Sequence, residues 1–158
     1  MIEFKTTVSV AGITAHQVYD FMLNCNDADY QKWWPGTHFA FHTRLHKPGG
    51  LGNVVYFDES VGPQRIKSKA VVVEAVKAQK LVWQLKKGLK LPVWIELSLE
   101  DDAAGVGVLH IMKAGFPGRG SMFDIFFRLI LNHHFERELN EHVRTEFSLM
   151  GKLFASLA

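Results

Sequence analysis

The sequence FKTTVSVAGITAHQVYDFML, residues 4–23, changes from the pattern of a strand to that of a helix and so sets the first two elements of the fold. The strand pattern extends over residues 2–10, and one face of it holds Ile2, Phe4, Thr6, Val8 and Val10. This period of two predicts a strand with one covered face. Thr14 and Gln17, three residues apart, form the pattern of a capping box, which predicts a helix that begins after Thr14.

Downstream of this unit, a short second helix through Tyr30 is predicted to deliver Trp33 and Trp34 to a turn at Pro35–Gly36. Further segments with strand periodicity follow, separated by turn-forming residues. They are HFAFHTRL (38–45), NVVYFDES (53–60), RIKSKAVVVEAV (65–76), KLVWQLK (80–86), LPVWIELSLE (91–100) and GVGVLHIMKA (105–114). Together with the first strand, they predict about seven strands in an antiparallel meander.

The carboxyl-terminal forty residues have a helical pattern. Ser121 with Asp124 forms a second capping signal, and neither Gly nor Pro follows until Gly151. A single straight helix over 121–157 would be about 50 Å long, which is more than a domain of this size needs. We therefore predict a bend or break near Asn132–His134. One strand, two small helices, six strands and a long helix make an α+β fold, predicted to be a single domain over residues 1–158.

Composition limits the classes of function. The chain has 158 residues, of which 47% are hydrophobic and 22% charged, with a net charge of +2. That charge is too small to indicate nucleic acid as a partner without a basic stripe to concentrate it, and the basic line Arg65, Lys67 and Lys69 lacks the aromatic platforms of a nucleic-acid binder. Cys25 is the only cysteine, so an internal disulfide is impossible and a reducing compartment is expected.

The longest apolar block, MFDIFFRLIL at residues 122–131, includes Asp124 and Arg128 and is about half the length that spans a bilayer. No stable membrane insertion is predicted, and the amino terminus shows no secretory signal, so a cytoplasmic location is expected. The block is expected to be buried against the sheet or against the partner in a homodimer. Contact with lipid during delivery of a hydrophobic ligand is the alternative.

The last helix carries the main candidates for a functional site. At 100° per residue, the face predicted to pack on the sheet holds Phe135, Leu139, Val143, Met150, Leu153 and Leu157. His142 and Glu146 fall on that same face, whereas His134 and Glu138 lie at its border. An ionisable pair on an apolar face must be hydrogen-bonded or reach a wet cavity. The pair is therefore predicted to contact a polar ligand group or to exchange protons with it; the alternative is a pair that satisfies itself.

A metal site is not predicted. His134, Glu138 and His142 recur every four residues, but three ligands along one helix edge span about 12 Å, too far to close on one ion. A pair of residues four apart on the helix can share one ion, but a third ligand would then have to come from the sheet. His110 or Asp58 could supply it, and nothing in the sequence places either beside the pair. No cofactor is predicted either, because no phosphate-cradling glycine loop, nucleophile elbow or dinucleotide fingerprint is present.

Aromatic residues are the candidates for the walls of a ligand site. Trp33 and Trp34 are adjacent, so one is expected to line a pocket while the other packs nearby. Phe39 and Phe41 alternate onto one strand face, and Trp83 shares an inward face with Leu81 and Leu85. The directions of His110 and of the face that carries Tyr56 and Asp58 are left open by the pattern.

Four segments together carry a resemblance to a known superfamily. These are FKTTVSVAGITAHQVYDFML, YQKWWPG, LVWQL and VLHIMKAGFPG. The chain resembles the START/Bet v 1-like helix-grip superfamily, and especially its polyketide cyclase/dehydrase and lipid-transport members. The resemblance implies a curved antiparallel sheet wrapped around the long last helix, with an apolar cavity between them.

Three hypotheses for function follow. The first is binding of a small hydrophobic molecule, such as a lipid, polyketide-like compound or isoprenoid, in that cavity. The residues predicted to contact it are Trp33, Trp34, Phe39, Phe41, Tyr56, Trp83, Phe135, Leu139, His142, Val143 and Glu146. The second is a cyclase, dehydratase or hydrolase in which His142 and Glu146 act with His110 or Asp58 as acid and base. The third is a protein-interaction module of the chaperone-activator type.

Overall fold

The secondary structure follows the predicted order closely. The computed structural model describes residues 1–118 and 122–158. Its elements are β1 (Ile2–Ala11), α1 (Ala15–Asn24), α2 (Asp27–Trp33), β2 (His38–Leu45), β3 (Val54–Val61), β4 (Gln64–Val76), β5 (Lys80–Lys87), β6 (Leu89–Asp101), β7 (Gly105–Ala114), α3 (Met122–Ile130) and α4 (His133–Leu157). Each predicted strand is present, and the α+β class is confirmed.

The strands form one curved antiparallel sheet in the order β1-β7-β6-β5-β4-β3-β2. Consecutive strands from β2 to β7 are neighbours, and β1 pairs with β7 at one end of the order. Helix α4 packs across the sheet against β1 and β3 and also contacts α2. The core therefore lies between the long helix and one face of the sheet, which is the arrangement that the resemblance implied.

The beginning of α1 shows why the opening segment folds as predicted. The Thr14 hydroxyl accepts a hydrogen bond from the Gln17 backbone N–H at 3.2 Å, and the Thr14 N–H donates to the Gln17 side chain at 2.9 Å. Both halves of the capping box are thus formed. The Ala15 N–H donates to Asp101 Oδ1 at 2.6 Å and so fixes the helix to the end of β6.

The carboxyl-terminal helical segment breaks where the sequence predicts. Helix α3 ends at Ile130 and α4 begins at His133. Asn132 caps α4, because its side-chain oxygen accepts hydrogen bonds from the N–H groups of His134 and Phe135 at 3.0 and 3.1 Å. The predicted cap of the preceding helix, Ser121, lies outside the described residues.

The expected burial of the apolar block 122–131 against the sheet is wrong. The exposed apolar side chains described for this helix are Met122, Ile125, Phe126, Leu129 and Ile130. The main contact of helix α3 with the sheet is with β1, and its apolar outer face meets solvent. None of the helices within residues 1–118 and 122–158 is long and apolar enough to cross a membrane.

The face of α4 that packs on the sheet is mostly as predicted. Its buried residues are Phe135, Leu139, His142, Val143, Phe147 and Met150. Leu153 is partly buried against the core. Leu157 was expected on the same face but is 74% exposed, because it is the last helical residue and nothing described covers it.

A β-bulge in β2 overturns the predicted facing of Phe39. His38 pairs with Glu59, whereas Ala40 pairs with Asp58, so Phe39 is the extra residue at this register shift. The bulge resets the alternation and places both His38 and Phe41 on the inner face. Phe39 instead lies on the outer face, where the Arg65 guanidinium sits 4.0 Å from the centre of its ring.

Candidate functional site

A cavity lies between the sheet and α4. Its volume is about 120 Å³. Of the predicted wall residues, the structure places Trp33, Phe41, Trp83, Phe135, Leu139 and Val143 along it. Apolar residues from β3, β4, β5 and β6 complete the walls, among them Phe57, Ala70, Leu85 and Leu97. The cavity exists because a helix laid across a curved sheet leaves space that these side chains do not fill.

One end of the cavity is polar: Glu59, His142 and Glu146 line it, and His38, which is not a lining residue, contacts two of them. His38, Glu59, His142 and Glu146 each present a nitrogen or oxygen atom, and these four atoms all lie within 4.8 Å of one another. His38 Nε2 lies 3.2 Å from Glu146 Oε1 and 3.9 Å from Glu59 Oε2. His142 Nε2 lies 3.4 Å from Glu59 Oε2. We call these four residues the polar cluster.

Helix α2 supports the polar cluster mainly through Tyr30. The Tyr30 hydroxyl donates to Glu59 Oε2 at 2.8 Å, and its backbone carbonyl lies 3.2 Å from His38 Nδ1. Its ring stacks on the His38 ring with centroids 3.8 Å apart. Because a carbonyl only accepts, Nδ1 must carry the proton, and Nε2 of a neutral His38 then points its lone pair into the cluster.

The two adjacent tryptophans each contact a different residue of the polar cluster. Trp33 is buried in the cavity wall, and its Nε1–H donates to the Glu146 carbonyl at 2.6 Å. Trp34 does not line the cavity. Its ring lies 4.8 Å from that of His142, and both residues line a cleft on the outer surface. The prediction that one ring lines the pocket while the other packs nearby agrees with this placement.

Burial and the attraction between opposite charges shift the pKa values of His142 and Glu59 in opposite directions. Burial lowers the pKa of His142, but the carboxylates of Glu59 and Glu146 raise it, and the net shift is upward. Burial raises the pKa of Glu59, but contacts with His142, Tyr30 and His38 lower it by more than burial raises it. The net shift of this pKa is therefore downward. Glu59 therefore stays ionised, and it favours a positive charge on its neighbour His142.

The structure brings His142 and Glu146 into the site, but not as a pair with each other. His142 contacts Glu59, and Glu146 contacts His38, so each residue of α4 is matched by a partner from the sheet. His142 is buried, and the Glu146 side chain is only 12% exposed. Whether either residue contacts a ligand or transfers a proton remains a prediction.

His110 also faces the cavity, from the middle of β7. Its side chain is buried, and its Nδ1 atom has no hydrogen-bond partner among the described residues. Burial lowers the pKa of this imidazole, which keeps it neutral. It is therefore a neutral polar group in an otherwise apolar wall, and it is not part of the polar cluster.

Two candidate residues of the sheet lie away from the cavity. Tyr56 faces outward, where its ring lies 5.4 Å from that of His42. Asp58 is on the same outer face and forms hydrogen bonds with Arg65 at 2.8 and 2.9 Å. The proposals of Tyr56 as a wall residue and of Asp58 as an acid, base or metal ligand are therefore wrong, because residues 55, 57, 59 and 61 are the ones that face inward.

The border residues of α4 are also separate from the cluster. His134, which is exposed, and Glu138, which is half-buried, form a pair with 3.8 Å between Nε2 and Oε1. Both residues were predicted at the border of the α4 face that packs on the sheet. The row of three potential ligands along α4 thus contributes only His142 to the polar cluster.

The sequence reasoning missed His38, Glu59 and Tyr30. Glu59 had a usable signal, because it alternates with Val55, Phe57 and Val61, and a glutamate on an apolar strand face must find a partner. His38 had no such signal, because the bulge that turns it inward is a property of the strand pairing. The correct strand face was therefore predictable for β3 but not for β2.

Comparisons with known proteins support the fold. The sequence matches no protein-family model and no curated protein. In structure, the chain is similar to Ara h 8.0201 (TM-score 0.64, 12% identity, 98% of each chain covered). It is also similar to ginseng major latex-like protein 151 from Panax ginseng (TM-score 0.58, 8% identity, 89% of this chain and 96% of that chain). The Aha1 dimer from Colwellia psychrerythraea is a third match (TM-score 0.51, 14% identity, 91% and 97%).

These likenesses, with the sheet order and the gripped helix, define the protein as one with the Bet v 1-like helix-grip fold. The fold that the sequence resemblance implied is thereby confirmed. At identities of 8–14%, the likeness concerns the fold alone.

Proposed function

We propose that the protein binds a small, largely apolar molecule in the cavity between the sheet and α4, with a polar group of that molecule directed to the polar cluster. The observation that carries the proposal is the cavity itself, with apolar walls on both the sheet and the helix and a concentrated polar end. Ligand sites commonly combine apolar walls with a few convergent polar groups.

The size of the cavity limits the ligand. An engineered protein cavity of about 150 Å³ binds benzene, so a volume near 120 Å³ suits one ring or a short branched chain. A lipid, polyketide-like compound or isoprenoid would need the cavity to widen. A single-ring molecule with one polar substituent is therefore the ligand that fits the observed shape.

The experiment measures the binding of toluene and phenol by isothermal titration calorimetry. Ala70 is 1% exposed and lines the cavity, so Ala70→Phe fills the space. Val71, its neighbour in β4, alternates to the other face, and Val71→Phe serves as the matched control. We expect the wild type and the control to bind, and Ala70→Phe to lose at least tenfold in affinity.

Absence of saturable binding by the wild type, or equal affinity in the two variants, contradicts the proposal. Ala70→Leu adds less volume and replaces Ala70→Phe if the larger ring prevents folding. Native mass spectrometry of the protein purified from its own host then identifies any retained small molecule.

An enzyme of the cyclase, dehydratase or hydrolase type is a second candidate. It is favoured by three titratable residues that line the polar end of the cavity, Glu59, His142 and Glu146, because proton transfer needs such groups within reach of one substrate position. The molecule retained from the host is incubated with the wild type and with Glu146→Gln. Formation of a product by the wild type alone supports catalysis, and its absence from both supports binding without reaction.

The exposed apolar face of α3 favours a protein contact as a third possibility, with a second copy of the chain as the proposed partner. One protein of similar fold was solved as a dimer. Sedimentation velocity of the wild type and of Phe126→Ser tests this. A dimer that Phe126→Ser dissociates supports the contact, and a monomeric wild type contradicts it.

A further inference from the structure

We propose that His38, Glu59, His142 and Glu146 bind one divalent transition-metal ion, with zinc as the first candidate. This inference goes beyond the proposed binding of an apolar molecule, and it does not depend on it. The two proposals concern adjacent parts of one cavity, the polar end and the apolar walls.

The spacing of the ligand atoms fits a metal ion. Metal–ligand bonds of about 2.1 Å in tetrahedral geometry place neighbouring ligand atoms about 3.4 Å apart. The contact between His38 Nε2 and Glu146 Oε1 is 3.2 Å, and that between His142 Nε2 and Glu59 Oε2 is 3.4 Å. No pair among the four atoms exceeds 4.8 Å, so small side-chain movements would complete the coordination.

The histidine atoms that face the cluster lack hydrogen bonds. Nε2 of His38 and Nε2 of His142 are both buried, and neither forms a hydrogen bond of good geometry in the described part of the chain, although carboxylate oxygens lie 3.2 and 3.4 Å away. The side chains are 0% and 5% exposed. Buried polar atoms without a partner are costly, and a metal ion is an acceptor of the lone pair that each neutral imidazole can offer.

The surroundings of His38 and Glu59 resemble the support that metal ligands need. The imidazole donates its other N–H to the Tyr30 carbonyl, which fixes the ring and leaves Nε2 free to coordinate. The same tyrosine donates its hydroxyl to the Glu59 carboxylate. Such outer hydrogen bonds orient ligating side chains and increase their affinity for the metal.

Charge balance also favours a cation. Glu59 and Glu146 bring two carboxylates into a mostly buried space, with side chains 17% and 12% exposed. The ion pairs of both involve histidines alone, and no described Lys or Arg reaches them. A divalent ion would neutralise both carboxylates, and both imidazoles would bind it in their neutral form.

The donor set indicates the class of ion. Two imidazole nitrogens and two carboxylate oxygens suit zinc and its first-row neighbours, whereas calcium and magnesium prefer oxygen alone. His142 lines both the cavity and the outer cleft, so an ion can reach the site from the surface. On the cavity side, a bound ion would meet the polar group of a ligand.

The experiment uses protein that has been freed of metal with EDTA and then titrated with zinc chloride by calorimetry. We expect one ion per chain. Glu146→Gln and His142→Gln each remove one ligand and are expected to weaken zinc binding at least tenfold. Cobalt(II) is the spectroscopic probe, and visible bands of a low-coordinate ion are expected in the wild type and lost in both variants.

The matched control is the double variant His134→Gln, Glu138→Gln. These residues have the same spacing on the same helix but lie outside the cluster, with His134 exposed and Glu138 half-buried in the outer cleft. They report adventitious binding of zinc to surface histidines. We expect the control to bind zinc with wild-type affinity.

Two results would overturn the metal site: no zinc binding by the wild type, or loss of binding in the control while His142→Gln retains it. Tyr30→Phe keeps all four ligands and removes one supporting hydrogen bond, and a drop of about tenfold is expected. It provides the test if a ligand variant does not fold. Toluene binding to metal-free protein is measured in parallel, so that failure of the metal site and failure of the cavity proposal are told apart.

Discussion

His38 Nε2 lies 3.2 Å from Glu146 Oε1, and this contact joins the first residue of β2 to the middle of α4. It closes the polar end of the cavity between two elements that are distant in sequence. The contact depends on the bulge that turns His38 inward and on the cap that fixes where α4 begins.

The cap of α4 is expected to contribute measurably to stability. Asn132→Ala removes the acceptor for the N–H groups of His134 and Phe135 and should lower the free energy of unfolding by about 1 kcal/mol. Asn132→Gly should cost only a few tenths of that. Urea denaturation measures both variants. An unchanged midpoint for Asn132→Ala would show that the break between α3 and α4 does not depend on this cap.

Truncation of the buried Leu81 side chain is expected to destabilise the protein strongly. Its side chain is 0% exposed, so Leu81→Ala should cost about 2–5 kcal/mol through lost burial and the space that it leaves. Leu89, 81% exposed at the start of β6, is the control, and Leu89→Ala should change stability by less than about 0.5 kcal/mol. Similar losses in the two variants would contradict the placement of the core.

Cys25 is expected to be unreactive in the folded protein. Its thiol is buried, and burial with the nearby carboxylates raises its pKa to about 12. Because the thiolate is the nucleophile, a disulfide reagent at pH 8 should label the native protein slowly and the urea-unfolded protein rapidly. The absorbance of the released thiol gives both rates. Rapid labelling under native conditions would mean that Cys25 is accessible.

The buried imidazole of His110 predicts a dependence of stability on pH. Burial lowers its pKa in the folded protein below the ordinary value of 6.5, so the unfolded chain takes up a proton first as the pH falls. Its contribution to stability is therefore present above about pH 6.5 and is lost as the pH falls towards the folded pKa. His110→Leu should lose less stability than the wild type between pH 7.5 and 5.5 in denaturant unfolding. Equal losses would mean that His110 already accepts a proton in the folded state.

Local patterns were enough for most of the fold. The alternation of β1, the capping box at Thr14 and Gln17, and the break at Asn132 each depend on residues close together in the chain. The same holds for the apolar face of α4, where the fixed helix angle places His142 and Glu146 towards the sheet. The α+β class follows from these elements in their order, whereas the helix-grip arrangement was expected from the resemblance.

The candidate site could be predicted only in part, because local patterns do not determine how the strands pair. Phe41, Trp83, Phe135 and Val143 were assigned to the cavity wall from periodicity, and the structure places them there. Phe39, Tyr56 and Trp34 were assigned to it as well and lie outside. One bulge accounts for Phe39 and one undetermined strand face for Tyr56, whereas Trp34 lines the outer cleft.

The sequence by itself determined the type and order of the elements and the inward face of the last helix. Only the tertiary structure decided that His142 meets Glu59, that Glu146 meets His38, and that Tyr30 supports both sheet residues. Periodicity follows from bonds between neighbours in the chain. Contacts between strands depend on register, and a shift of one residue turns every side chain to the other face.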